Sequence, residues 1–122
     1  MTVQDLVVVY ATFPDKDLAR EVGRAAVEAR LAACVNILPM AFSIYAWEGE
    51  VHDADETVAI FKTRTVQVDA LMAEIIRLHP YDVPGMVALP VVAAPENYAD
   101  WIRFETGAPF PPPPPVEEPP ED

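Results

Sequence analysis

Two histidines, one cysteine and a set of clustered carboxylates are the side chains of this 122-residue chain best suited to chemistry. His79 stands directly before Pro80-Tyr81-Asp82-Val83-Pro84. An imidazole there can ligate a metal or interact with a helix C-terminus, and for a lone histidine the structural account comes first. Glu56, with Asp53 and Asp55 close by, offers the carboxylate oxygens that divalent cations take, although acids beside a hairpin also serve as a solvated tip. His52 belongs to the same tip. Cys34 follows Leu31-Ala32-Ala33 and reads as a buried, inert thiol before it reads as a ligand or nucleophile. Lys62, on a strand near acidic residues, could activate a group, but an ion pair accounts for it more simply. No CxxC, HExxH, Walker or GxSxG pattern occurs, and Gly23, Gly49 and Gly85 are scattered. The sequence thus carries no dedicated catalytic motif, and a binding role rather than an enzymatic one is expected, with no cofactor required.

Composition narrows the partners. Eight Lys and Arg against twenty Asp and Glu give a net charge of −12, which repels phosphate backbones and anionic lipid head groups, so neither nucleic acid nor a membrane surface is an expected partner. The N-terminal Met1-Thr2-Val3-Gln4-Asp5 has no basic region, and the apolar run Leu6 to Ala11 is too short for a signal core or a bilayer span. A single cysteine excludes an intramolecular disulfide and fits a reducing compartment, so the cytoplasm is the expected location.

The elements that must position these residues follow from periodicity. A domain over residues 1–106 precedes a Pro-rich, acidic tail over 107–122, where Pro111 to Pro115 favour polyproline II and no packed structure. Four of the twenty acids and no base lie in that tail, so the domain itself carries −8. Leu6 to Ala11 reads as a buried strand, and Asp15 caps a helix to about Leu31 with Leu18, Val22, Ala25, Ala26 and Ala29 on its inner stripe. Cys34 to Trp47 reads as one long strand bent at Pro39, and Glu48-Gly49-Glu50 turns it into an antiparallel partner over Val51 to Thr63. Val68, Leu71, Met72, Ile75 and Ile76 form a second helix that His79-Pro80 stops. Met86 to Ala93 is the last strand, and Pro95 opens a short helix with Tyr98, Trp101 and Ile102 on one face. The order β, α, β, β, α, β predicts an α+β, ferredoxin-like sandwich with a long central hairpin, a four-stranded antiparallel sheet and two helices on one side.

Alternation adds a consequence. If Phe42, Ile44 and Ala46 face the helices, Ser43, Tyr45 and Trp47 face the other way, and two aromatic side chains lie bare. The first and last strands are apolar on both faces as well, yet two helices cover only one. A homo-oligomer burying Tyr45 and Trp47, with Trp101 as a further contact or a partial cover, is the economical expectation.

Taken together, Val8 to Asp15, Arg30 to Asn36, Ser43 to Gly49, Phe61-Lys62-Thr63 and His79 to Pro84 resemble the CutA, or divalent-cation tolerance, family, with Tyr98 and Trp101 fitting its closing segment. The resemblance runs from about Val7 to Ile102. It implies a cytoplasmic homotrimer, similar in architecture to PII signalling proteins, that takes part in tolerance of or response to divalent metals, copper among them, without established catalysis. His79 matches the family's H-P-Y histidine and Glu56 an acidic position of the third strand, so both are candidate ligands for a weakly bound Cu or Zn ion between subunits. Ala11 stands where some copper-binding members have cysteine, and Leu78 where some have a second histidine, so the soft thiolate that favours copper is absent. A PII-like sensor or scaffold that binds a small effector or a protein is the alternative the same resemblance allows.

Overall fold

The fold is taken from a computed structural model that describes residues 3–108; the polyproline segment expected beyond them lies outside the described residues. Eight elements follow the chain: β1 (Leu6–Phe13), α1 (Lys16–Glu28), β2 (Cys34–Trp47), β3 (Glu50–Arg64), a short 3₁₀ turn (Thr65–Gln67), α2 (Val68–Leu78), β4 (Met86–Pro90) and α3 (Glu96–Glu105). The strands form one antiparallel sheet in the order β2-β3-β1-β4, as the split βαβ pattern predicts. Among the described residues no helix is long and apolar enough to cross a membrane.

One face of the sheet is a packed core. Val9, Ala11 and Phe13 from β1 and Ala59 and Phe61 from β3 meet Ala19, Val22 and Ala26 of α1 and Leu71 and Ile75 of α2, all of them buried. The Asp15 carboxylate starts α1 by accepting from the Leu18 amide at 2.8 Å. The helix ends at Glu28, a turn earlier than periodicity suggests, and its inner stripe is Ala19, Val22, Gly23 and Ala26, while Ala29 is exposed. The cause is Arg30, held at φ 62°, which lets Arg30 N–H reach Val27 O at 3.0 Å and Leu31 N–H reach Ala26 O at 2.9 Å. That pair of bonds closes a helix and ordinarily has glycine at the left-handed position. α2 stops after Leu78 because Pro80 forces His79 into extended backbone, φ −89° and ψ 137°.

The opposite face is only partly covered. α3 lies over its Leu6 end, where Val3, Leu6, Ala33, Ala99 and Ile102 are buried and Tyr98 and Trp101 pack against them. The C-terminal carbonyls of α3 are met by side chains from three other segments. Arg30 donates to the carbonyls of Phe104 and Glu105, and Arg64 and Gln67 donate to Thr106 O at 2.7 and 2.8 Å. Cationic donors at that end also match the helix dipole. A two-pronged Asp5–Arg103 ion pair at 2.8 and 3.0 Å ties the N-terminal segment to the same helix and holds the Asp5 carboxyl below the usual carboxylate range. β4 ends at Pro90 instead of running to Ala93, since the chain then leaves the ladder to reach α3.

The hairpin is longer than its cover. At about 3.3 Å per residue β2 and β3 reach roughly 46 and 50 Å, whereas α1 and α2 at 1.5 Å per residue reach about 20 and 17 Å. Phe42 pairs with Asp55 and Ile44 with Asp53 on one side, and Ser43 with Ala54, Tyr45 with His52 and Trp47 with Glu50 on the other. The alternation is therefore as expected, but Phe42 and Ile44 do not meet the helices. They are 62% and 70% exposed because the helices end short of them, so the arm is bare on both sides. At its root the ladder shifts between Leu38 and Ala41, with Met40 at φ 72° and Pro39 on the open edge of β2.

α1 must lie close to β2 at Gly23, where an added Cβ would come within 2.7 Å of Val35 Cγ1, part of a side chain stiff at χ1. Gly23→Ala, which raises helix propensity, is therefore expected to destabilise the protein by about 1–3 kcal/mol. Urea unfolding of the two proteins checks the sign.

Candidate functional site

At the root of the arm a cleft of ≈ 390 Å³ opens between Pro14, Met40, Asp55, Glu56 and Thr57. β3 contributes the two carboxylates, the β1–α1 junction contributes Pro14, and the bulge in β2 contributes Met40. Glu56 is buried while Asp55 is exposed, so the acidic stretch expected to be a solvated tip divides into one inward and several outward carboxylates.

Behind the cleft His79 joins three segments. Its Nε2 lies 2.7 Å from the Thr12 carbonyl, which can only accept, so Nε2 carries the proton and Nδ1 accepts from the Tyr81 amide at 3.2 Å. The ring stacks on Phe13 with centroids 4.9 Å apart and meets the Tyr81 ring at 4.6 Å. Tyr81 then donates its hydroxyl to Glu56 Oε2 at 3.1 Å. Local sequence explains this chain of contacts: Pro80 fixes the turn, so His79 and Tyr81 fall on the same side of it. The loop returns to β1 through the Thr12 amide, which donates to Gly85 O at 3.1 Å, and a Cβ at Gly85 would press on Thr12 Oγ1 at 3.3 Å.

His79 and Glu56 are thus linked within the chain through Tyr81, which sequence reasoning did not single out. Both imidazole nitrogens are engaged, and His79 is buried. Among the described residues no group of three His, Cys, Asp or Glu side chains is placed to hold a metal ion. Within the cleft the buried Glu56 carboxylate is an oxygen donor, and the exposed Asp55 carboxylate lies beside it. His52 lies four residues up β3 from Glu56, about 13 Å away. It stacks on Tyr45 at 5.6 Å and stands 3.8 Å from Glu50, as a tip residue would.

Cys34 and Lys62 are elsewhere, on the outer face under α3. Cys34 is half-buried there, with Sγ 3.7 Å from the Tyr98 hydroxyl. The ion pair expected for Lys62 does not form: among the described residues no carboxylate is in range of its Nζ, which donates to the Tyr98 hydroxyl at 3.2 Å. The acids near Lys62 in sequence lie up the arm, beyond reach. Burial pushes the Tyr98 phenol up, with the Lys62 ammonium opposing. Trp101 stacks on Tyr98 with centroids 5.6 Å apart, and so serves within one copy as a cover for that end of the face. Tyr45 and Trp47, by contrast, lie 45% exposed on the arm with no packed layer above them.

Burial, and next the bond to Glu56, push the Tyr81 phenol up to about 12. A raised folded value means that the fold favours the neutral hydroxyl. Its contribution is complete below the ordinary tyrosine range and is lost as pH rises through about 12. Tyr81→Phe is expected to cost about 0.5–1.5 kcal/mol at neutral pH and to flatten the alkaline fall in stability. Denaturant midpoints of the two metal-free proteins, measured across the alkaline range, check both effects.

A family model described as CutA1 divalent ion tolerance protein matches residues 7–105. The Divalent-cation tolerance protein CutA of Thermus thermophilus is 46% identical over 100 residues, covering 82% of this chain and 97% of the relative. A solved structure of the Thermus thermophilus protein superposes with a TM-score of 0.82 at 45% identity, over 84% of this chain and 99% of that one. The Protein CutA homolog of Danio rerio is 42% identical over 89 residues, or 73% of this chain, and the match spans 59% of that longer relative. A structure from Archaeoglobus fulgidus, described as a periplasmic divalent cation tolerance protein CutA, superposes with a TM-score of 0.80 at 32% identity over 83% of this chain and 98% of that one.

Proposed function

The chain belongs to the CutA1 divalent ion tolerance protein family, and from that premise we propose that it acts by assembly and binding rather than catalysis. In this proposal it is a cytoplasmic homotrimer that holds divalent cations, copper or zinc, weakly at clefts between copies. One observation carries it: the arm is bare on both sides and rises directly from a cleft that contains a buried carboxylate, Glu56. A second copy laid along the arm would cover Phe42, Ile44, Tyr45 and Trp47 and wall in the cleft with donors that a single copy lacks.

Glu56 would be the anchoring oxygen ligand. His79 can offer Nδ1 only by releasing the Tyr81 amide, and Tyr81 in turn holds Glu56, so ligation opposes the loop's own hydrogen bonds. Weak binding follows from that competition. With nitrogen and oxygen donors alone, Cu²⁺ is expected to bind more tightly than Zn²⁺.

Two measurements test these statements. Light scattering at micromolar concentration should give about three times the 13.4 kDa chain mass, and the pair Phe42→Asp with Ile44→Asp should reduce it to one chain. A wild-type protein of single-chain mass overturns the assembly. In calorimetry with Cu²⁺ and with Zn²⁺, Glu56→Gln is expected to weaken binding roughly tenfold or more and His79→Ala to change it, through a ligand or its positioning. Equal heats for all three proteins remove both residues from any metal site.

A further inference from the structure

Lys62 is out of place by ordinary rules. It sits half-buried in the middle of the sheet, in a row formed by Cys34, Lys62, Val8 and Leu89 across the four strands, and the next row is Asn36, Ile60, Tyr10 and Val87. Among the described residues, which hold sixteen of the chain's twenty acids, no carboxylate reaches this ammonium. A half-buried lysine buries its stem and keeps its ammonium in reach of solvent, so with no carboxylate beside it the head is open to an anion from solution. Here one N–H goes to the Tyr98 hydroxyl at 3.2 Å, Nζ lies 5.5 Å from the Tyr98 ring centroid, and among the described residues the other two N–H donors meet no acceptor. The Tyr98 hydroxyl accepts from Lys62, so its own proton is directed either to Cys34 Sγ at 3.7 Å or to an incoming acceptor.

α3 holds this arrangement in place. Tyr98 and Trp101 are stacked on one another, and their helix is fixed by Arg30, Arg64, Gln67 and the Asp5–Arg103 pair, so the phenol and indole do not drift from the strand. From this geometry we infer that Lys62, Tyr98 and Trp101 form a binding subsite for the carboxylate of a small organic acid, distinct from the Glu56 cleft. A carboxylate fits better than a phosphate. One ammonium and one phenol balance a single negative charge, whereas a dianionic phosphate calls for a further cation, and Arg64, two residues along the same strand, is already committed to Thr106. The apolar neighbours Val8 and Leu89 and the Trp101 ring suit a short hydrocarbon body attached to the acid.

Trp101 provides the readout, once Trp47 on the arm is silenced as Trp47→Phe in the full-length protein. Sodium propanoate titrated at constant ionic strength should change Trp101 emission saturably, propanamide should not, and sodium phosphate should act at least several-fold more weakly. Lys62→Met, which keeps length and apolar character, should weaken propanoate roughly tenfold or more, the equivalent of about 1.4 kcal/mol for one charge-assisted hydrogen bond. Tyr98→Phe should weaken it less and serves as the second variant if Lys62→Met does not fold. Molecular mass is measured on the same samples, which separates this site from the assembly proposed above. Overturning results are an equal response in Lys62→Met, no saturable response in wild type, or phosphate binding as tightly as propanoate. Loss of the oligomer in Lys62→Met with wild type indifferent to propanoate also overturns it, and assigns the ammonium to a carboxylate of a neighbouring copy.

Discussion

A β-strand advances more than twice as far per residue as a helix, and the organisation of this molecule follows from that ratio. With fourteen and fifteen residues in β2 and β3, and thirteen and eleven in α1 and α2, the inner layer ends while the hairpin continues. Everything beyond that point must be stable as a two-stranded ribbon or be covered by something else. An isolated ribbon is marginal in water, and this one bears Phe42, Ile44, Tyr45 and Trp47 on its sides. The bulge at Met40 and the cleft beside it mark the boundary between the covered and uncovered parts of the sheet.

The other end of the molecule is built on the opposite plan. There α3 is clasped at its C-terminal carbonyls by side chains that start from the α1–β2 junction, the end of β3 and the 3₁₀ turn. Arg30 accepts a left-handed backbone, a cost of order 1–3 kcal/mol for a residue other than glycine, and returns a guanidinium aimed at two carbonyls more than seventy residues away in sequence. Glycine would suit the backbone and lose the clasp. The same clasp positions Tyr98 over Lys62, so one polar cluster is held from several segments while the arm's cleft is open.

Local features were legible in the sequence. The stop at His79-Pro80, the Asp15 cap, the order of strands and the alternation of Ser43, Tyr45 and Trp47 are each set within a few residues, and periodicity reports them. The family was legible too, from five short motifs spread along the chain. Contacts across the fold were not. The partner of His79 Nε2 is a carbonyl sixty-seven residues earlier, and nothing in an H-P-Y motif says that both ring nitrogens are taken. Lys62 was expected to pair with an acid because acids are near it in sequence, yet strand geometry carries them away along the arm. Phe42 and Ile44 were assigned to the helix side correctly and to the helices' cover wrongly, because alternation fixes a face but carries no information on how far the opposing layer extends. Arg30 gave one usable signal: a helix with no glycine at its end must close by some other means.

The acids that line one side of the arm also govern how the arm behaves as an exposed edge. An apolar ribbon and the open edge of β2 offer a template to any other unpaired edge. Asp53 and Asp55 face across the ladder to Ile44 and Phe42 and put a charge beside each exposed apolar side chain, and Pro39 removes one donor from the edge itself. Pairing of two such arms would bring these like charges near one another. The acidity of the arm thus discourages fibre-like growth along its open edge.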